Sequence, residues 1–344
     1  MAGAQINPLL IQLLTGKEIT DIPNSPTRSW LPGKYASLIN RKKELIERKF
    51  GENSYMITCK SCGRKGKYDV GLMLINTDES KVEKPGNSIQ TTGYFRCKHC
   101  NDAGNWEMPS KFLMASVLGL IELSIGSPKM EKKRTFGKSL LFDGSWHLYC
   151  SDGEMHLLQL LKEEPGNSFI WNRLGNLYDK GNRPELAAAV YEHSIEIDHG
   201  QIESHFSLGG YFVQIKEFDK SAYHFKQMLL GASEYDLLSA EKLREMLACC
   251  LTELFYIYQN SNGEIPFIPT KEELEVAGKI NEMKGYQVGL ELELFQGDPE
   301  SFYPLAEMYM GAQCKKLPKR LRTLEVSKLA NKKKKKRKRR KKKR

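Results

Sequence analysis

The sequence predicts a mainly α protein in which a stack of helical hairpins follows a small β domain. Three observations carry that prediction. Four cysteines fall in two tight pairs, Cys59-x2-Cys62 and Cys97-x2-Cys100, with 34 residues between the pairs. The residues between them are rich in β-formers bounded by turn signals. From Gly153 onward apolar residues recur at helical spacing, and part of that region repeats itself every 34 residues.

Residues 1–52 form a lead-in and a helix. Pro8, Pro23 and Pro26 among scattered Ser and Thr predict a loosely structured start over the first thirty residues. Between Gly33 and Phe50, the apolar residues Tyr35, Leu38, Ile39, Leu45, Ile46 and Phe50 have helical spacing with a basic outer face, and Gly51 suits the helix end. Residues 53–150 hold the cysteine pairs. Tyr68 to Ile75 reads as a strand, Lys84-Pro85-Gly86-Asn87 as a turn, and Thr91 to Phe95 as the returning strand. Phe112 to Ile125 fits either a helix or a buried strand. Asp143-Gly144 between apolar runs signals a tight hairpin, so a small sheet is expected to extend the β domain there. Residues 151–330 are expected to be helical to about Leu329, with a long amphipathic helix over Leu237 to Tyr258.

Thiolate sulfur is a soft ligand, and four thiolates at tetrahedral angles satisfy Zn²⁺ fully. Such a site keeps no open position, so its role is structural. Each pair is followed by a turn residue, Gly63 and Asn101, as two knuckles closing on one ion require. Iron bound by the same ligands is the competing metal. With four ligands in place, His99 inside the second knuckle is expected to face solvent. The layout of strand, loop and strand with a knuckle at each outer end resembles the zinc ribbon, and implies one structural Zn²⁺ on Cys59, Cys62, Cys97 and Cys100. Redox-regulated holdase chaperones also hold zinc with four cysteines, but their first pair is C-x-C. Cys150, Cys249, Cys250 and Cys314 read as buried or half-buried small hydrophobes.

The repeat covers residues 168–235. Leu174 recurs as Leu208, Gly175 as Gly209, Tyr178 as Phe212, and Tyr191 as Phe225. Small residues at 175 and 209 let paired helices approach, and the large ones fill gaps between pairs. Trp171-x2-Leu174-Gly175-x2-Tyr178 followed by Ala187-x3-Tyr191 resembles the tetratricopeptide repeat. Two copies cannot bury their own faces, so the flanks must supply more of the stack, about four to five hairpins in all. Phe302-x2-Leu305-Ala306-x2-Tyr309 is similar to a further first helix. The resemblance implies a concave groove for a peptide or helix of a protein partner. Asn172, Asn176 and Asp179 from the first copy and Glu203, Phe206 and Gln214 from the second would line it. The carboxylate-clamp branch of the family has a Lys where this chain has Asn172.

Charge separates a body from an appendage. The chain carries a formal charge of +11, but Lys332, Lys333, Lys334, Lys335, Lys336, Arg337, Lys338, Arg339, Arg340, Lys341, Lys342, Lys343 and Arg344 form an unbroken cationic run at residues 331–344. Removing those thirteen from the 53 basic residues leaves 40 against 42 acidic ones. Such a run repels itself and is expected to be disordered. It has no aromatics on which bases could stack, so it would contact the phosphates of nucleic acid, or an anionic surface, without sequence preference.

No secretory signal or run of 18 apolar residues is present, and the thiol usage suits a reducing, cytoplasmic setting, or a nuclear one in a nucleated cell. No phosphate-binding loop, G-x-S-x-G elbow or H-E-x-x-H motif occurs. His193 and His199 near Glu192, Glu196 and Asp198 read as the outer face of a repeat helix. The expected function is a non-enzymatic adaptor. A nucleic-acid- or ribosome-associated protein and a redox-gated chaperone are the alternatives.

Overall fold

The computed structural model describes residues 4–76, 89–124, 133–280 and 293–324. The expected turn at Lys84 to Asn87, the end of the helical region beyond 324 and the cationic run lie outside the described residues. The chain is mainly α with two small three-stranded sheets. It forms two compact units, Met1–Ile197 and Asp198–Arg344. The division therefore falls inside the helical region rather than at residue 150.

The lead-in is more ordered than its prolines suggested. Helix α1 (Pro8–Thr15) starts where Asn7 Oδ1 accepts a hydrogen bond from Leu9 N at 3.0 Å, with Pro8 in the first turn. Pro belongs there because its missing N–H is one that a helix start leaves unpaired anyway. Gly16, at φ 67°, closes the helix, and Leu10, Ile11 and Leu14 bury its inner face. The next helix, α2 (Tyr35–Arg41), is shorter than expected and gives way to a 3-10 turn at Lys43–Leu45. Its start is fixed from outside, because the Glu192 carboxylate accepts from Lys34 N and Tyr35 N, both at 3.0 Å.

The expected strand over Tyr68 to Ile75 is broken in two. In the first sheet β1 (Ser54–Cys59) pairs antiparallel with β2 (Lys65–Asp69). Strands β3 (Met73–Ile75) and β4 (Ile89–Thr91) belong to the second sheet. Gly71 causes the break. Its φ is 70°, and a Cβ there would meet Gly93 N at 2.5 Å, so two backbones cross where no side chain fits. β5 (Trp106–Glu107) adds to the other edge of β1. Phe112 to Ile125 resolves as helix α3 (Ser110–Ser124), and β6 (Arg134–Phe136) runs parallel to β3. The Asp143-Gly144 turn forms, but only one bridge, Leu140 to Trp146, flanks it. Ile57, Tyr68, Phe95, Trp106 and Phe112 make the core of this β region.

Helices α4 (Cys150–Glu163), α5 (Ser168–Lys180) and α6 (Pro184–Ile197) complete the first unit. The second unit opens with α7 (Ile202–Gln214) and α8 (Phe218–Gly231). Both hairpins, α5/α6 and α7/α8, start 34 residues apart and turn alike. Asn182 at φ 58° and Lys216 at φ 59° hold the left-handed position of each turn. Arg183 N bonds Tyr178 O in one, and Glu217 N bonds Phe212 O in the other, both at 2.9 Å. The Leu237 helix is observed as α9 (Ala240–Asn260), capped by Ser239, and is followed by the short α10 (Lys271–Val276). Helix α11 (Tyr303–Tyr309) packs on α9 but is only seven residues long. Among the described residues no further hairpin of the 34-residue kind follows.

The repeated glycines do what their spacing implied. A Cβ on Gly175 would lie 2.4 Å from the Tyr191 ring, and one on Gly209 would lie 2.6 Å from the Phe225 ring. Gly210, one residue along α7, has nothing within 4 Å. Neighbouring Gly→Ala substitutions should therefore have opposite signs. Gly209→Ala is expected to destabilise by about 1–3 kcal/mol, because Phe225 is fully buried and cannot yield. Gly210→Ala is expected to stabilise by about 0.5–1 kcal/mol through helix propensity. Denaturant midpoints of the two variants check this, and equal signs would refute the packing argument.

Candidate metal centre

The four cysteines converge in the first unit although 41 residues separate the outermost two. Cys59 is the last residue of β1, and Cys97 follows the core residue Phe95 by two positions. Both knuckles have the same backbone. Cys59 N donates to Arg64 O at 3.0 Å and Cys97 N to Asp102 O at 2.8 Å. Gly63 N returns to Cys59 O at 2.8 Å and Asn101 N to Cys97 O at 2.9 Å. The two turn residues, at φ 69° and 60°, adopt the left-handed conformation that Gly and Asn tolerate.

Sulfur positions test the donor set. Cys59 Sγ and Cys100 Sγ are 3.7 Å apart, as are Cys62 Sγ and Cys97 Sγ. All four lie within 4.8 Å of one another. A disulfide would need about 2.05 Å. Four sulfurs each about 2.3 Å from a tetrahedral ion lie about 3.8 Å apart. The observed spacing fits the second case, and all eight cysteines are free. The four could hold a metal ion, and among the described residues no other His, Cys, Asp or Glu group meets that geometry.

The surroundings favour an anionic ligand at Cys97. Burial raises its thiol, but the backbone N–H groups of Cys100 and His99 outweigh this and bring it to about 6. His99 N lies 3.4 Å from the sulfur, and Tyr68 O–H donates to it at 3.8 Å. Burial pushes Tyr68 up to about 12, so the phenol stays a donor. The His99 ring is exposed and meets Arg64 at 3.3 Å, as expected of a residue outside the ligand set.

Two of the residues expected to line a groove prove to be interior. Asn172 is fully buried, and its Oδ1 accepts from Asn176 Nδ2 at 3.2 Å. Glu203 is buried and accepts from Tyr235 O–H at 2.7 Å. Helix spacing placed both on one face, but tertiary packing covers that part of the face. Asn176 is half-buried and accepts from Tyr191 O–H at 2.7 Å. Asp179 pairs with Lys49 Nζ at 3.0 Å. Phe206 is half-buried against the core of the second unit, and Gln214 Nε2 donates to Gly210 O at 3.3 Å. His193 packs edge-on against Trp171 and pairs with Glu196 at 3.4 Å. Cys150 and Cys250 are buried, and Cys249 and Cys314 half-buried, as expected of small hydrophobes.

Sequence reasoning missed Arg96 and Glu154. Glu154 is fully buried and its carboxylate accepts four hydrogen bonds. The signal was present in the pattern, since Glu154 stands on the inward stripe of α4 among Cys150, Leu157, Leu158 and Leu161. In comparisons with protein-family models, curated proteins and solved structures, none matches this chain. Among the described residues, no helix is long and apolar enough to cross a membrane.

Proposed function

We propose that the protein is a non-enzymatic interaction scaffold. One structural Zn²⁺ on Cys59, Cys62, Cys97 and Cys100 stabilises a zinc-ribbon-like β region. Tetratricopeptide-like hairpins present helical faces to a protein partner, and the cationic run at the C-terminus contacts polyanions. The observation that carries this reading is the pairing of a closed four-sulfur site with two hairpins congruent at 34 residues. Four thiolates leave the ion no position for substrate, so the metal serves folding rather than chemistry. With Asn172 and Glu203 committed to the interior, Asn176, Asp179, Phe206 and Gln214 are the remaining candidates for partner contact.

Native mass spectrometry before and after nuclease treatment tests the reading. A mass excess of one zinc without nucleic acid supports the scaffold. The absence of bound metal would remove its first half. A capture experiment tests the second half. Gln214→Arg, a change at a half-buried position, should reduce partner recovery at least severalfold, and unchanged recovery would argue against the hairpin face.

The thirteen-cation run favours a second reading, in which the protein associates with nucleic acid. If all thirteen charges engaged single-stranded phosphates, the slope of log affinity against log salt would reach about −9. Deleting residues 332–344 is expected to abolish most of that slope. A titration at several salt concentrations measures it, and an unchanged slope would place any polyanion contact elsewhere.

A further inference from the structure

Arg96 immediately precedes the ligand Cys97 and is buried. Its Nε donates to Asn101 O at 2.9 Å, inside the second knuckle. Its Nη1 donates to Glu154 Oε2 on α4 at 3.0 Å. The other Glu154 oxygen accepts from Tyr94 O–H at 2.8 Å and from Tyr178 O–H on α5 at 2.6 Å. Asn7 Nδ2, the residue capping α1, also donates to Oε2 at 3.0 Å. From the knuckle side, Asn101 Nδ2 donates to Ile6 O and Asn24 O, both at 2.7 Å. The turn that presents Cys97 and Cys100 is thus bonded on one side to the lead-in and on the other to two helices.

We propose that Glu154 is a positioning residue of the metal centre. Acting through Arg96, it fixes the second knuckle in ligating geometry, so that metal affinity and the packing of α4, α5 and the lead-in form one linked equilibrium. The inference rests on the reading of the four cysteines as a metal site. A buried carboxylate needs its cation, and a buried guanidinium its carboxylate, because an unpaired charge in the interior is strongly disfavoured. Arg96 therefore stays where Glu154 holds it. From there its Nε ties the carbonyl of the knuckle's left-handed turn residue. Groups behind the ligands commonly change metal affinity tenfold to a hundredfold when removed. Linkage makes the effect reciprocal, because whatever Glu154 contributes to metal affinity, the metal contributes to the order of the Glu154 surroundings.

The test uses the full-length protein and Co²⁺ as the probe, with thiolate-to-metal absorption and a competing chelator giving the affinity. Glu154→Gln keeps the shape and removes the charge, and is expected to weaken binding about tenfold or more. Arg96→Lys, which keeps charge but not the fork, should fall between it and the wild type. Glu307→Gln, at a fully buried carboxylate in the second unit that pairs with Arg244, should stay within about twofold. Hydrogen exchange supplies a second readout. Chelating the metal from the wild type should speed exchange at 6–24 and 150–180 as well as at the knuckles. If Glu154→Gln fails to fold, Tyr178→Phe deletes one hydrogen bond and should weaken Co²⁺ binding about threefold. Affinity unchanged in a folded Glu154→Gln, or exchange at 150–180 indifferent to metal, overturns the inference and leaves the metal site standing. Wild-type protein without a cobalt–thiolate band overturns both.

Discussion

Replacing Cys97 with serine, or stripping the metal with a strong chelator, is expected to unfold the β region of the first unit. The reason lies in what the cysteines touch. Cys59 and Cys97, each 1% exposed, belong to the same core cluster as Tyr68, Phe95 and Trp106. That core is small, and the strands around it are only two to six residues long. A structural zinc site contributes on the order of 10 kcal/mol to a small module, which exceeds the total stability of many domains. Near-UV circular dichroism reports the outcome directly, since Trp106 packs against Tyr68 and Phe95 at 5.2 and 5.1 Å between ring centroids. The Trp106 signal and the first thermal transition should be lost together. A chelated protein with unaltered near-UV signal and melting would show that the sulfurs cluster without needing an ion.

The second large effect belongs to pH and the second unit. His205 and His224 are each 2% exposed, and their Nδ1 atoms are 2.9 Å apart. One of those nitrogens carries the shared hydrogen and the other accepts it, so the contact exists only while at least one ring is neutral. Burial lowers both groups, His205 to about 4 and His224 to about 3, with each ring's neighbours adding to it. Phe212 stacks on His224 at 5.5 Å and offers a proton nothing. In the unfolded chain both titrate near 6.5. Stability should therefore be complete above about pH 6.5 and decline as pH falls toward 4, because over that window only the unfolded state takes up protons. His205 alone accounts for roughly 3 kcal/mol across it. Guanidinium midpoints at pH 7.5 and 4.5 measure the loss. The double variant His205→Leu/His224→Phe removes both partners together and should flatten the dependence. If the variant loses stability with acid as steeply as the wild type, the carboxylates and not this pair govern acid sensitivity.

Much of the metal centre was legible because its chemistry is local. Two residues between cysteines and a Gly or Asn after each pair define a knuckle whatever surrounds it, and both knuckles have that backbone. The hairpins were legible for a related reason. Trp171, Leu174, Gly175 and Tyr178 recur as a pattern whose spacing follows helix geometry, and Gly175 and Gly209 fit against Tyr191 and Phe225 as their size required. Errors arose where a local signal admitted two meanings. Pro8 marked a helix start rather than disorder, and only the burial of Leu10 and Ile11 decides between them. Tyr68 to Ile75 had the composition of one strand, yet the close approach of Gly93 to Gly71 splits it.

The sequence by itself determined the ligand set, the turn chemistry that shapes each knuckle, and the period of the helices, since each depends on residues within a few positions of one another. Tertiary structure alone decided which polar residues lie inside. Asn172 and Glu203 look like surface residues of a helix, and Glu154 looks like an interruption of an apolar stripe. Their environments come from chain segments tens to more than a hundred residues away, as when Asn7 reaches Glu154. Burial of a charge is tolerable only when partners arrive from elsewhere in the fold, and no local pattern announces their arrival.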